Sequence, residues 1–194
     1  MARRPISFRV AFSTPWFEIE KSIPPDPSEA PYYRMTAPDG IICLPLTPAG
    51  DMVMIRQYRP SLDSETLEVP AGAIEDGEAY VNATQREVLE ETGYRCGLLY
   101  PLGVGRLYLN RCTQREYLMI GLDAEPVVGA HPESGITPIV MPRREFHAMV
   151  CRDEIEQTAV LSFVGLASAK LGIDLIRDPI EIIRRRVQES FRRE

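Results

Sequence analysis

The chain has 194 residues, 44% apolar and 26% charged, enough to bury the core of one ordinary domain and too ordered in composition for wholesale disorder. Its net charge of −6 argues against a general nucleic-acid binder, which needs a basic face. It leaves room for a small phosphorylated substrate held by a few arginines and a metal. No apolar run reaches the length of a membrane span, and the opening MARRPISFRVAF is too short and interrupted for a secretion signal. A cytoplasmic protein with no membrane partner is expected. The cysteines Cys43, Cys96, Cys112 and Cys151 stand apart without C-x-x-C pairing and read as four reduced thiols, mostly buried.

In chain order, residues 1–38 come first, broken by Pro15, Pro24, Pro25, Pro27, Pro31 and Pro38 into short aromatic stretches that cannot make a core alone. They are expected to form short strands or an arm against the main domain or a second subunit, or else a loose tail. Residues 39–194 are expected to form the main domain. Residues 41–46 and 52–58 are apolar runs around Thr47-Pro48-Ala49-Gly50-Asp51, which predicts a hairpin. Residues 66–69 predict a further short strand. A polar loop then leads into helical spacing over residues 79–92, with Gly93 as the natural stop. Residues 98–109, 116–122 and 136–141 are strand-like. Two closing helices are predicted, one over residues 154–171 and one opening at Asp178-Pro179-Ile180-Glu181. Ile180, Ile183, Val187 and Phe191 give the last helix a packed face. The fold class is α+β, with a mixed central sheet, flanking helices and a small N-terminal β arm.

The segment from Gly72 to Tyr94 carries the chemistry. On the predicted helix Glu87, Glu90 and Glu91 stand at i, i+3 and i+4, so three carboxylates share one face. Val81, Val88 and Thr92 fall roughly opposite. Like charges at this spacing repel by a few tenths of a kcal/mol, more when partly buried. Arg86 supplies one positive charge, and a divalent cation such as Mg²⁺ or Mn²⁺ suits the remaining oxygens. Taken alone, these residues are explained slightly better by a solvated acidic face.

The surrounding positions tip the balance. The segment resembles the Nudix box, G-x5-E-x7-R-E-U-x-E-E-x-G-U with U aliphatic. Gly72, Glu78, Arg86, Glu87, Glu90, Glu91 and Gly93 fill its fixed positions, Val88 fits the first aliphatic one, and Tyr94 departs mildly at the last. Seven such matches arise by chance in roughly one in 10⁶ chains of this length, so coincidence does not explain them. The resemblance implies an α/β/α sandwich that binds divalent metal and hydrolyses a nucleoside diphosphate linked to another moiety. It further implies Glu87 and Glu91 as metal ligands, Glu90 as a further ligand or a neighbouring base, and the Ala71 carbonyl as the donor completing the set. Arg86 and Glu78 are expected to brace the loop.

Just upstream, Ile55-Arg56-Gln57-Tyr58-Arg59 and Glu65-Thr66-Leu67-Glu68-Val69-Pro70-Ala71-Gly72 resemble the R-Q-x-R and E-x-P-A-G arrangement of Nudix enzymes acting on ADP-ribose and nucleotide sugars. By that resemblance Arg59 grips the diphosphate, with Arg56 and Glu68 as helpers near the substrate. A glutamate on a mobile loop beyond the box often serves as base in such relatives, and Glu133, within Pro126–Gly135, holds that place here. The position 16 residues beyond Gly93 is Leu109, where ADP-ribose enzymes usually carry proline, so a nucleotide sugar such as GDP-mannose stays open. The loop from Asn110 to Arg115 is a candidate for choosing between them. The resulting expectation is a metal-dependent pyrophosphatase acting as a homodimer through its N-terminal strands. A non-catalytic nucleotide-sugar sensor and a house-cleaning nucleoside triphosphate pyrophosphatase are the alternatives.

Overall fold

Residues 40–45 are buried on both faces, which a strand achieves only when covered from two sides. The computed structural model describes residues 6–191 apart from 25 and 27. Its elements in order are β1 (Phe8–Ser13), β2 (Glu18–Ser22), β3 (Tyr33–Thr36), β4 (Gly40–Pro45), β5 (Met52–Arg59), β6 (Ser64–Glu68), β7 (Ala71–Ala73), α1 (Tyr80–Thr92), β8 (Tyr94–Arg95), β9 (Leu98–Gly105), β10 (Glu116–Leu122), β11 (Glu125–Pro126), β12 (Ile136–Met141), α2 (Arg143–Val150), α3 (Thr158–Leu171) and α4 (Ile180–Phe191).

The central sheet runs β7-β4-β10-β9 and is mixed, with β4 and β10 parallel and the outer pairs antiparallel. A second, antiparallel sheet runs β12-β5-β6, and β1-β2-β3 form a third at the N-terminus. Alternation along the strands sorts their side chains to two faces. Ile42 and Leu44 of β4, Met52 and Met54 of β5, and Leu118, Ile120 and Leu122 of β10 pack with Phe146, Phe163 and Ile183 of the three later helices. The alternate positions Cys43, Val53 and Met119 pack instead with Val88 of α1. Helices therefore cover both faces, and the sandwich expected from the sequence is the one observed.

Several expectations shift in detail. The turn at Thr47–Asp51 forms, with Gly50 N–H donating to Thr47 O at 2.8 Å, but only Leu46 and Met52 bridge across it. β4 and β5 then diverge into different sheets. β4 and the first half of β5, residues 52–55, are apolar on either face, so the sequence run does not say which neighbour each will take. The helix expected over residues 154–171 begins at Thr158, and α2 was not foreseen: only Phe146 of its eight residues is buried. On α1 the buried stripe is Ala83, Thr84, Val88, Glu91 and Thr92, while Val81 is exposed. Phe191 is also exposed, although its ring meets Tyr100 edge-on at 5.2 Å. Of residues 1–38, 1–5, 25 and 27 lie outside the described residues; the rest include the strands β1–β3, tied to the main body where Met35 N–H donates to Arg111 O at 2.6 Å and Met35 O accepts from Thr113 N–H at 3.0 Å. Among the described residues no helix is long and apolar enough to cross a membrane. All four cysteines are free; Cys43 and Cys96 are buried, whereas Cys151 is exposed.

Because Phe146 is the single buried anchor of α2, Phe146→Ala is expected to lower the unfolding free energy by about 3–5 kcal/mol. Urea denaturation checks this, and an unchanged midpoint would contradict the packing.

Candidate active site

The site forms where α1 crosses the end of the central sheet. Ala79 precedes the helix in extended conformation, and Gly93 ends it at φ 74°, its N–H donating to Leu89 O at 2.8 Å. A side chain would strain that backbone, so glycine suits the stop. The helix thereby holds Glu87, Glu90 and Glu91 toward β7. A Cβ on Gly72 would run into the Glu87 carboxyl group, so the absence of a side chain there lets carboxylate and strand approach.

Arg86 binds loop and helix together. Its Nε and Nη2 donate to the two Glu78 oxygens at 3.1 and 2.9 Å, and Nη2 also reaches Ala73 O at 2.9 Å. Its Nη1 donates to Glu87 Oε1 at 2.8 Å and Glu90 Oε2 at 3.1 Å. The brace expected between Arg86 and Glu78 is thus present, and the same guanidinium steadies two of the three helix carboxylates. Glu91 is 7% exposed and accepts from Ala71 N–H at 2.9 Å.

One arginine does not balance this charge. Burial pushes the Glu91 carboxyl up to about 8; the Ala71 N–H and the charge of Arg59 oppose that, while Glu87 and Glu133 add repulsion. Glu87 is also raised, by burial first, against the bonds from Arg86, with Glu90 and Glu133 repelling it. Among the described residues no three acidic, histidine or cysteine side chains already converge as a metal cage, since Arg86 and the Ala71 N–H hold these carboxylates. Their chemistry nevertheless fits a hard divalent cation: clustered oxygen donors, two of them costly to ionise without added positive charge.

Arg59 and Glu68 lie beside them. Arg59 Nε and Nη2 grip Glu68 Oε1 and Oε2 at 2.7 and 2.6 Å, and Thr66 Oγ1 donates to Glu68 Oε1 at 2.6 Å. Burial raises the Glu68 carboxyl, but these bonds and the arginine charge outweigh it and leave it below the ordinary value. Among the described residues Arg59 Nη1 has no hydrogen-bond partner. Arg56 is not brought here. Three positions from Arg59 on an unbulged strand, it faces the opposite way and is exposed.

A cavity of about 620 Å³ opens beside these groups, lined by Arg59, Glu68, Ala71 and Gly72. Gln114, from the loop flagged for selectivity, also borders it, as do Glu116 and Gln157, which the sequence reading missed. Glu116 was legible in principle: it is in phase with the inward-facing Leu118, Ile120 and Leu122. Glu133 is exposed, yet its backbone N–H donates to Glu90 O at 2.9 Å, fastening its loop to the end of α1. His131 and His147 belong to none of these groups.

With its carboxyl raised when folded, Glu91 stabilises the metal-free protein fully below about pH 4.5, and that stability drains away as pH rises toward 8. Between pH 6 and 8 its share of the loss is about 2 kcal/mol. Glu91→Gln should remove that slope. Denaturation in a chelator at both pH values measures it, and an equal slope in the variant would contradict the burial of this charge.

A NUDIX domain matches residues 36–160. The methanol dehydrogenase activator of Bacillus methanolicus is 39% identical over 59 residues, 30% of this chain and 32% of that protein. The ADP-sugar pyrophosphatase of Mus musculus is 50% identical over 44 residues, 23% and 20% of the two chains. The ADP-ribose pyrophosphatase of Bacillus subtilis (strain 168) is 39% identical over 57 residues, 29% and 31%. Each match spans about a third or less of the curated relative. The crystal structure of an ADP compounds hydrolase superposes with a TM-score of 0.70 at 18% identity, covering 89% of this chain and 97% of that one, which establishes likeness of fold.

Proposed function

The chain belongs to the Nudix family, and on that footing we propose that it hydrolyses the diphosphate bond of ADP-ribose or a related nucleotide sugar to a nucleoside monophosphate and a sugar phosphate. The observation that carries this reading is a cavity edge formed by Arg59, Ala71 and Gly72, where the arginine keeps a free N–H group and two carboxylates raised by burial, Glu91 and Glu87, pack against Ala71 and Gly72. The pyrophosphatase names of two curated relatives agree with it.

Glu87, Glu90, Glu91 and the Ala71 carbonyl would hold the divalent cation, Mg²⁺ with Mn²⁺ as a substitute. When bound, such an ion neutralises diphosphate charge and favours attack by water. The protein's own groups do the rest. Arg59, its fork held by Glu68, turns Nη1 toward a phosphate oxygen and fixes the diphosphate for in-line displacement. Glu133 accepts the proton of the attacking water, with Glu90 beside it on the same helix end. Water adds to one phosphorus, the bridging oxygen leaves on the other phosphate, and two monoesters result. Arg86 keeps the loop and carboxylates in place without touching substrate. Arg56, on the far face, has no part in this arrangement.

The same reading makes the protein a cytoplasmic homodimer with a small-molecule substrate and no nucleic-acid partner. Exposed Val10, Phe12 and Trp16 on and beside β1 give the N-terminal sheet an apolar surface of the kind that subunit contacts cover. The four free cysteines agree with a reducing compartment.

The test is AMP release from ADP-ribose with Mg²⁺. Glu87→Gln and Glu91→Gln are each expected to lower kcat by at least about a hundredfold. Unchanged turnover in both would remove the mechanism. Tight binding without product in the wild-type protein would favour the sensor alternative.

A further inference from the structure

Three buried side-chain atoms lack a hydrogen-bond partner among the described residues: Gln57 Nε2, Gln85 Oε1 and Glu116 Oε2. Of these, Glu116 lines the cavity. Its carboxyl is pushed above the ordinary range by burial, and no cation among the described residues relieves it. The adjacent Arg115 is engaged with Asp39 at 2.6 Å, and Arg59 with Glu68.

The sheet around it is shaped to leave this group uncovered. In register, Glu116 of β10 stands between Gly40 of β4 and Gly105 of β9, and Gly40 in turn pairs with Ala73 of β7. Cross-strand neighbours share a face, so one long acidic side chain stands in a row otherwise made of glycine and alanine. A Cβ at Gly40 would press on Gly72 O at 3.2 Å and approach Gln114 Nε2 at 3.5 Å. Two strand spacings, about 10 Å, separate Glu116 from the β7 end of the row, where the acidic helix and Arg59 converge. A sugar or nucleoside attached to a diphosphate spans that interval.

An apolar residue in this position, in phase with Leu118 and Ile120, would bury without penalty, whereas a lone carboxylate oxygen out of water costs stability. A group kept at such a cost beside a cavity is explained by what enters the cavity. We propose that Glu116 is a specificity-determining residue whose carboxylate accepts from two adjacent donors on the substrate. Two groups that vary among such molecules offer that pattern: the vicinal hydroxyls of the distal sugar and the N1–H and N2–H₂ edge of guanine. This rests on the hydrolase reading above and deepens it by naming the group that discriminates among substrates.

The experiment compares wild type with E116Q and E116I on ADP-glucose, GDP-glucose and an ADP alkyl ester that has no distal hydroxyls. A loss in kcat/KM of at least about tenfold, carried mainly by KM, is expected on the donor-bearing substrate, with change within about twofold where the donors are missing. Loss confined to GDP-glucose identifies the base as the source. Equal loss on both glucosides, sparing the alkyl ester, identifies the sugar. The ligand-free E116I variant is expected to melt about 3 °C higher than wild type, because the orphaned charge is gone. Equal loss on all three compounds, no loss on any, or a lowered melting temperature without discrimination would overturn the proposal in favour of a structural role. A wild-type protein that turns over none of the three contradicts the hydrolase reading instead. Calorimetric binding of the same compounds then decides Glu116 by the same pattern, and absence of binding overturns both.

Discussion

The arrangement depends on negative charge being forced out of water. Glu87 and Glu91 sit on the face of α1 that meets β7, where the fold needs an apolar contact and finds carboxylates. Glu87 lies over Gly72 and Glu91 accepts from Ala71 N–H, while the neighbouring Val88 packs into the core and fixes the helix against the sheet. Arg86 offsets part of the repulsion and joins helix, loop and strand through one guanidinium. The remainder persists in carboxyl groups that resist ionising. A helix built only for stability would place these residues outward, as the exposed Val81 and Asn82 show is open to α1 elsewhere.

The rest of the cavity follows from what surrounds that charge. Cations brought close would be drawn into the acids, and Arg59 is kept from collapsing onto Glu91 by its two bonds to Glu68. Thr66 fixes Glu68 in turn, so the fork is set before any substrate arrives. In the proposed reaction, diphosphate recognition and metal binding would therefore fall to adjoining but separate groups. The glycine row beyond them would leave room for whatever a diphosphate carries, with Glu116 standing in it.

How much of this the sequence disclosed depended on the kind of constraint involved. α1, its stop at Gly93 and its acidic face follow from spacing along one element, and the structure keeps them almost residue for residue. β10 likewise runs over the expected residues, because it is one unbroken apolar run behind a leading acid. Pairing was less legible. β4 and residues 52–55 of β5 are apolar on both faces, so nothing in these residues says that the strands part after a single bridge. α2 is short and held by one phenylalanine, too little to register as a periodic pattern. Arg56 and Arg59 look equivalent in a motif, but an odd separation on a strand sends them to opposite faces. Glu116 escaped notice because an acid at the start of an apolar run reads as a boundary, and only the glycines across the sheet reveal its isolation.

The most direct measurement is calorimetric titration of the chelator-stripped protein with Mn²⁺ near pH 7, repeated in buffers of different ionisation enthalpy. With the Glu91 carboxyl at about 8, cation binding must expel close to one proton per ion, and that release must fade above about pH 9. Glu91→Gln should bind more weakly and release no proton. Binding that expels no proton at pH 7, or that is indifferent to Glu87→Gln and Glu91→Gln, would mean that the carboxylates of α1 are not where the cation goes.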